Sequence, residues 1–335
     1  MKIIKPKVAL LTEITGGLEQ TLHDYGALTL VIGIEPHNKR KSIRNPKDLP
    51  LIIKKFLKNK TQNKRSLIDF CKKHELTYVS FPYREQSILA EKLKEKKIDI
   101  LITYAAPLLE SSVLSSPLCD AINLHHSILP NYKGGNPIFW QILHGQIESG
   151  VTIHRLSEKI DDGEILYQEP FDFPAFTSKN DIIENFHSRS RHGIIKLLNT
   201  FIPGEPLNKI SPSTGNTNKK FYARNVRRKE LQDIIEWEFI EPDQLLNLVR
   251  YLGEWPIDIA TPPGLLSFLP YKAEKIVTSN SPNTLQGLTA SGMSLTYGTK
   301  KGVITLKPSF NPIAIIKYIR KRQRILKGKL NSQYI

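Results

Sequence analysis

Cysteine, methionine and long apolar runs are what this 335-residue sequence has least of. Its two cysteines, Cys71 and Cys119, show no CxxC spacing. That excludes a small disulfide-stapled scaffold and leaves no pattern for a structural zinc or other metal site; a reducing, cytoplasmic setting is the expectation. The opening MKIIKPKVALLTEITGG has a basic tip, but its apolar run VALL falls well short of the roughly 7–15 residues of a signal peptide's apolar core. No stretch approaches the ~18 apolar residues of a membrane-spanning helix, so no membrane role is expected. The GxGxxG spacing of a dinucleotide site is also missing, and the Gly16-Gly17 pair is explained by a turn.

What the sequence has in plenty is positive charge. Lys and Arg number 48 against 32 Asp and Glu, giving a formal net charge of +16. Such a surface attracts polyanions. The basic residues form no single aromatic-interleaved stripe, however, and lysine is spread through the whole chain, so compositional bias explains the charge as readily as an anionic partner does. The length exceeds one usual domain and suggests two, each with its own core.

Lys7 to Leu11 and Leu28 to Ile34 read as short buried strands around an amphipathic segment, a βαβ unit. A basic, Pro-broken stretch from Pro36 to Pro50 follows, then helices over Leu51 to Leu57 and after Ser66, a candidate N-cap. Tyr78 to Phe81, the helix ILAEKLKEKK and the strand IDILITY continue the alternation, which predicts a mostly parallel sheet covered on both faces. After Phe201 the pattern changes. PGEP and SPSTGNTNKK form a polar connection, and PDQLLNLVRYL, LTASGMSLTYG and GVITLKPSF predict one helix and several short strands, a small OB-like barrel closed by the basic tail IKYIRKRQRILKGKL.

In parallel sheets, ligands bind beyond the carboxyl ends of the strands. AINLHHSILPNYKGGNP, residues 121–137, falls there. Its alternation puts Asn123, His125 and Ser127 on one face, and Leu124 and His126 on the other. Asn and His side by side offer donors for a developing oxyanion, and the imidazole can move a proton. Equally, they could be a satisfied polar pair at a strand end. Adjacent His125 and His126 point to opposite faces, which makes them poor joint metal ligands. GVTIHRLSEKIDDGEILYQE reads as strand, tight turn, strand, with Asp161 and Asp162 at the turn. An acidic residue there can orient a histidine, although DDG by itself is an ordinary hairpin turn.

Taken together, NLHHSILPNYKGGNP, then HG(x)4GVTI and IDDGEIL, in that order, resemble the formyltransferase family that uses 10-formyltetrahydrofolate, over roughly residues 95–170. The family includes enzymes acting on methionyl-tRNA and on sugar amines. The resemblance implies an α/β fold, a Rossmann-like mostly parallel sheet over residues 1–203, a linker over 204–220 and a smaller C-terminal OB-like domain over 221–335. It also implies direct transfer of the formyl group to a primary amine, with Asn123 and His125 stabilising the oxyanion and Asp161 holding the histidine and helping to pass the proton. By the same likeness, Ser127, Ile128, Leu129 and Pro130 form a folate wall with exposed backbone. Pro107, Leu108 and Leu109, with Ser157, Glu158, Lys159 and Ile160, would meet the pterin edge through backbone groups, and His126 would be a packing residue.

Among the branches, the formyltetrahydrofolate hydrolases resemble residues 125–137 but carry a regulatory domain first and nothing like the 221–335 tail, and the glycinamide-ribonucleotide branch also lacks that tail. EPHNKRKSIRNPKDLP is basic without matching the loop with which the tRNA enzymes enter the acceptor arm, whereas YARNVRRKELQDIIEW and LLNLVR resemble the linker and first helix of the sugar enzymes. WPIDIATPPG departs from both branches. The expected acceptor is therefore a nucleotide-linked amino sugar, with tRNA the alternative on charge. An inactive nucleic-acid-binding protein is the reading from another class, opposed by intact Asn123, His125 and Asp161. A homodimer is left open.

Overall fold

The computed structural model describes residues 4–35, 66–172, 179–210, 220–226, 230, 234–236, 239–252, 271–277, 287–291, 294–299 and 302–308. The expected helix at 51–57 and the basic tail helix lie outside them.

Two runs, VALLT and ILITY, are buried at every position and form β1 (Val8–Thr12) and β4 (Ile100–Tyr104). A strand apolar on both faces belongs in the middle of a covered sheet. These two lie side by side there, parallel, with Leu10 opposite Ile102. β2 (Leu28–Glu35) and β3 (Thr77–Pro82) extend the sheet on one side. β5 (Asp120–His125), β6 (Glu148–Arg155) and β7 (Ile165–Asp172) extend it on the other. The order is β3-β2-β1-β4-β5-β6-β7, with β1 to β5 parallel and β6 and β7 antiparallel. The chain is thus α/β with a mostly parallel sheet, as expected.

The helices alternate with the strands: α1 (Leu18–Tyr25), α2 over residues 66–73, α3 (Gln86–Glu95), the one-turn α4 (Ser111–Leu114), α5 (Pro137–Leu143) and α6 (Lys179–Leu198). Ser66 is itself helical rather than the residue ahead of the helix. One core fills the space beside the sheet, built from Leu11, Leu30, Ile32, Phe81, Leu89, Leu93, Leu101 and Val113. Each such side chain contributes roughly 1.5–3 kcal/mol by leaving water.

The strand order reverses between β1 and β4. Their loops diverge there, and the carboxyl ends of β4 and β5 open onto the crevice where α/β sheets bind ligands.

The structure divides into two compact units. The first comprises residues 1–137, 148–172 and 184–224, the second residues 138–147, 173–183 and 225–335. Within the second, α7 (Pro242–Leu252) accompanies a four-stranded antiparallel sheet: β8 (Tyr271–Val277), β9 (Gly287–Ser291), β10 (Ser294–Thr299) and β11 (Gly302–Pro308), in the order β8-β11-β10-β9. The two arms of LTASGMSLTYG, in β9 and β10, pair antiparallel, with Thr296 opposite Thr289.

Candidate active site

Asn123 and His125 stand on one face of β5, as the alternation predicts, and β6 lies antiparallel beside them. The register sets His154 opposite Asn123 and Thr152 opposite His125. One face at this end of the sheet therefore carries Asn123, His125, Thr152 and His154 together, with Thr103 of β4 beside Asn123.

The carboxylate arrives from the turn between β6 and β7. Asp161 adopts a left-handed φ of 48°, a conformation Asp tolerates better than most residues. Two residues on, a Cβ at Gly163 would lie 1.9 Å from the Arg155 carbonyl, so only glycine lets this turn fold so tightly against β6. The DDG sequence is thus a hairpin turn and a means of presenting Asp161 at once.

Asp161 joins three groups. Oδ2 accepts from the Gly134 amide at 2.8 Å and lies 3.4 Å from His125 Nδ1, while Oδ1 lies 3.4 Å from His154 Nε2. Burial alone would raise its pKa. The neighbouring imidazoles of His154 and His125, whenever either carries a proton toward it, and the Gly134 amide outweigh burial and hold it below the usual carboxylate value. His125 is 5% exposed, and burial lowers its pKa against the opposing pull of Asp161 and the bond to Tyr132. Its Nε2 donates to the Tyr132 carbonyl at 2.8 Å, since a carbonyl can only accept. The neutral ring thus holds a bare Nδ1 toward Asp161, and the carboxylate stabilises the imidazolium that forms when a proton arrives.

The loop that carries Tyr132 and Gly134 is braced in turn. The segment 220–224 runs beside it: Asn131 Oδ1 accepts from the Phe221 amide at 3.1 Å, the Ala223 amide donates to the Lys133 carbonyl at 2.6 Å, and Asn136 donates to the Ala223 carbonyl at 3.0 Å. Gly134 has φ 115°, and a Cβ there would lie 2.8 Å from that Ala223 carbonyl.

The expected folate residues divide into two groups. Ser127, Ile128, Leu129 and Pro130 follow His125 directly, but Leu129 is 1% exposed and its backbone is used within the protein. Its amide donates to Thr152 Oγ1 at 3.1 Å and its carbonyl accepts from Gln168 Nε2 at 2.9 Å. Ser127 is buried and donates to the Asn131 carbonyl at 2.7 Å. This strip offers a shaped wall, not the exposed backbone expected of Leu129. Leu108, Leu109 and Glu158 instead line an open cavity of about 670 Å³ with Tyr83, Arg84, Gln86, Glu110 and Ser111. Pro107 precedes that lining, and Ser157, Lys159 and Ile160 flank Glu158 in the loop leading to Asp161. Leu108 and Ile160 expose 48% and 46% of their surface, apolar area open to a flat ligand.

His126 faces away from this site. Its ring stacks on Phe186 at 4.7 Å and lies 5.3 Å from Tyr104 and 5.9 Å from His187. Among the described residues no group of three or more His, Cys, Asp or Glu could hold a metal, and no helix is long and apolar enough to cross a membrane.

Sequence reasoning passed over His154. The signal was present: in VTIHR, Thr152 and His154 alternate with the apolar Val151 and Ile153 and so share one face, matching Asn123 and His125.

Comparison with known proteins bears on this arrangement. Residues 50–198 match the family described as formyl transferase. The chain is 29% identical over 216 residues to the methionyl-tRNA formyltransferase of Bacillus subtilis (strain 168), a match covering 64% of this chain and 66% of that protein. It thus spans just under two thirds of that relative's length. Among solved structures, a sugar 3N-formyl transferase crystallised with dTDP and 5-N-formyl-THF superposes with a TM-score of 0.54 at 16% identity, covering 92% of this chain and 99% of its own. The N-formyltransferase of Helicobacter canadensis, in complex with folinic acid and dTDP-3-aminofucose, superposes with a TM-score of 0.52 at 15% identity, covering 91% of this chain and all of its own.

Proposed function

We propose, from the match of residues 50–198 to the formyl transferase family and from the convergence of Asn123, His125 and Asp161, that the chain moves a formyl group from 10-formyltetrahydrofolate to a primary amine. The convergence carries the reading: an amide, a buried imidazole and a carboxylate meet at the carboxyl end of β5.

The neutral amine attacks the formyl carbon, forming a C–N bond and placing negative charge on the formyl oxygen. Asn123 donates to that oxygen through its amide. His125 joins it by exchanging the Tyr132 carbonyl for the oxyanion. The ammonium proton leaves through a water to the His125–Asp161 pair, and N10 of the folate departs with a proton, so the exchange is proton-neutral overall. No covalent enzyme intermediate forms. The cavity beside Leu108, Leu109 and Glu158 takes the donor, with Ser127 to Pro130 as the inner wall.

The acceptor in this reading is a nucleotide-linked amino sugar, and residues 221–335 form the smaller domain beyond the 204–220 linker. Support comes from the sugar-enzyme likeness of YARNVRRKELQDIIEW. The two full-length superpositions are consistent with it in fold. A tRNA acceptor is the second reading, favoured by the +16 charge and the methionyl-tRNA formyltransferase likeness. The deciding experiment incubates the chain with 10-formyltetrahydrofolate and either dTDP-amino sugars or methionyl initiator tRNA, following loss of the formyl donor. Turnover with the sugar alone supports the first reading and turnover with the tRNA alone supports the second. Turnover with neither, at any salt concentration, overturns both.

A further inference from the structure

Two neighbours decide which way the Asn123 amide faces. Thr103 is fully buried, and its hydroxyl lies 2.8 Å from Asn123 Oδ1 and 3.2 Å from the Ile122 carbonyl. On the other edge, Asn123 Nδ2 lies 3.2 Å from His154 Nε2. The opposite nitrogen of that ring, Nδ1, lies 2.7 Å from the Arg155 carbonyl. A carbonyl only accepts, so Nδ1 carries a proton, and the neutral ring keeps a lone pair on Nε2. That lone pair needs a donor opposite it. A half-turn of the Asn123 amide would set oxygen against nitrogen with no proton between them.

His154 cannot adjust instead. It is 1% exposed, stands opposite Asn123 in the β5–β6 register, and is held by a carbonyl of its own strand. The titratable groups facing it are Asp161, 3.4 Å from Nε2, and the His125 ring, 6.4 Å away centre to centre. Asp161 and Asn123 therefore compete for one nitrogen: a neutral Nε2 takes the amide, whereas a protonated Nε2 donates to Asp161 and repels the amide protons.

We propose that His154, in its neutral Nδ1–H form, is a positioning residue that turns the Asn123 amide so that one N–H is spent on the imidazole and the other is left for the formyl oxygen. The assignment rests on the formyl-transfer reading above, but part of its test does not need turnover.

In the full chain with ¹⁵N-labelled histidine, His154 should show a protonated Nδ1 and a lone-pair Nε2 at neutral pH, and the Asn123 side-chain amide signals should shift in His154→Leu. In kinetics, His154→Gln, whose Oε1 reaches the Nε2 position, should keep kcat within about threefold. His154→Leu should lose about 10–30-fold in kcat with KM for the formyl donor within about twofold, since it disturbs one oxyanion donor without removing it. In the Asn123→Ala background the same substitution should cost less than about twofold, because the two act through one group. A protonated Nε2, or a His154→Leu penalty of equal size in both backgrounds, overturns the proposal. If His154→Leu does not fold, the nitrogen signals of the native chain and the His154→Gln rate decide it. A native chain that turns over no acceptor refutes the formyl-transfer reading, while the nitrogen signals still judge the tautomer.

Discussion

The two faces of the sheet at the end of β5 each carry a pair of histidines, and the chain uses them in opposite ways. On one face His125 and His154 share the carboxylate of Asp161, with each remaining ring nitrogen on a named partner. On the other, His126 and His187 sit in an aromatic layer with Tyr104 and Phe186, where the hydroxyl of Tyr104 meets His187 Nε2 at 2.5 Å. Burial lowers the pKa of His125, His126 and His187 alike. His125 has the buried carboxylate of Asp161 opposing that shift, His187 has only the exposed Glu184, itself paired with Arg191, and His126 is pushed well below its ordinary value, with His187 and His125 adding to burial. Histidine alone therefore does not mark a site at this sheet. What marks it is a buried acid close enough to stabilise the charged ring.

The largest effects should fall on the acid-bearing face. His125→Ala should lower transfer by about 10³–10⁴-fold and Asp161→Asn by about 10²–10⁴-fold, with affinity for the formyl donor nearly unchanged in both, because each removes proton handling and not folate contacts. Donor loss under saturating acceptor measures the first quantity and fluorescence titration of the folate the second. A rate near that of the native chain in His125→Ala would break the contrast between the faces.

Much of this face was legible in the sequence. The alternation of NLHHS separates Asn123 and His125 from His126 without any structure, and the uninterrupted apolar runs of β1 and β4 place the centre of the sheet. Asp161 was legible only through resemblance, since DDG satisfies an ordinary hairpin equally well and nothing local says that its side chain will meet a residue 36 positions earlier. His154 was missed because its role depends on the β5–β6 register, and the helical and loop residues between the two strands hide that pairing from any local pattern. The occupied backbone of Leu129 was equally hidden, for Thr152 and Gln168 reach it from two other strands.

A second group of predictions tests how the working face is held. Gly134→Ala would force a side chain into φ 115° with its Cβ 2.8 Å from the Ala223 carbonyl, while disturbing the amide that Asp161 accepts from. The expected cost is about 1–3 kcal/mol of stability, with a parallel fall in kcat. Thr152→Val keeps shape but strips the acceptor from the buried Leu129 amide and the donor from the Ser127 carbonyl. An unsatisfied buried group costs about 1–3 kcal/mol, so Thr152→Val should lower the melting temperature with less effect on kcat than Gly134→Ala. Equal kcat losses in the two variants would show that the brace acts through general stability and not through Asp161.

The smallest effect should come from the other face, and its sign is fixed by linkage. His126 in the folded chain has a pKa well below the ordinary value, whereas in the unfolded chain it returns to about 6.5. As pH falls below about 6.5 the unfolded state takes up a proton that the folded state refuses, so stability drops on acidification and is regained above that pH. His126→Phe removes this group while keeping a ring to stack on Phe186. Its kcat should stay within about twofold of the native chain, because its ring packs with Tyr104 and Phe186 on the face of β5 opposite Asn123 and His125. Its melting temperature, measured above neutrality and again near pH 5, should fall by a few degrees less on acidification than that of the native chain. His187 remains in the variant and keeps part of the acid sensitivity. An unchanged pH slope would mean that His126 stays neutral in both states, and a large loss of kcat would move His126 from the packing layer into the chemistry.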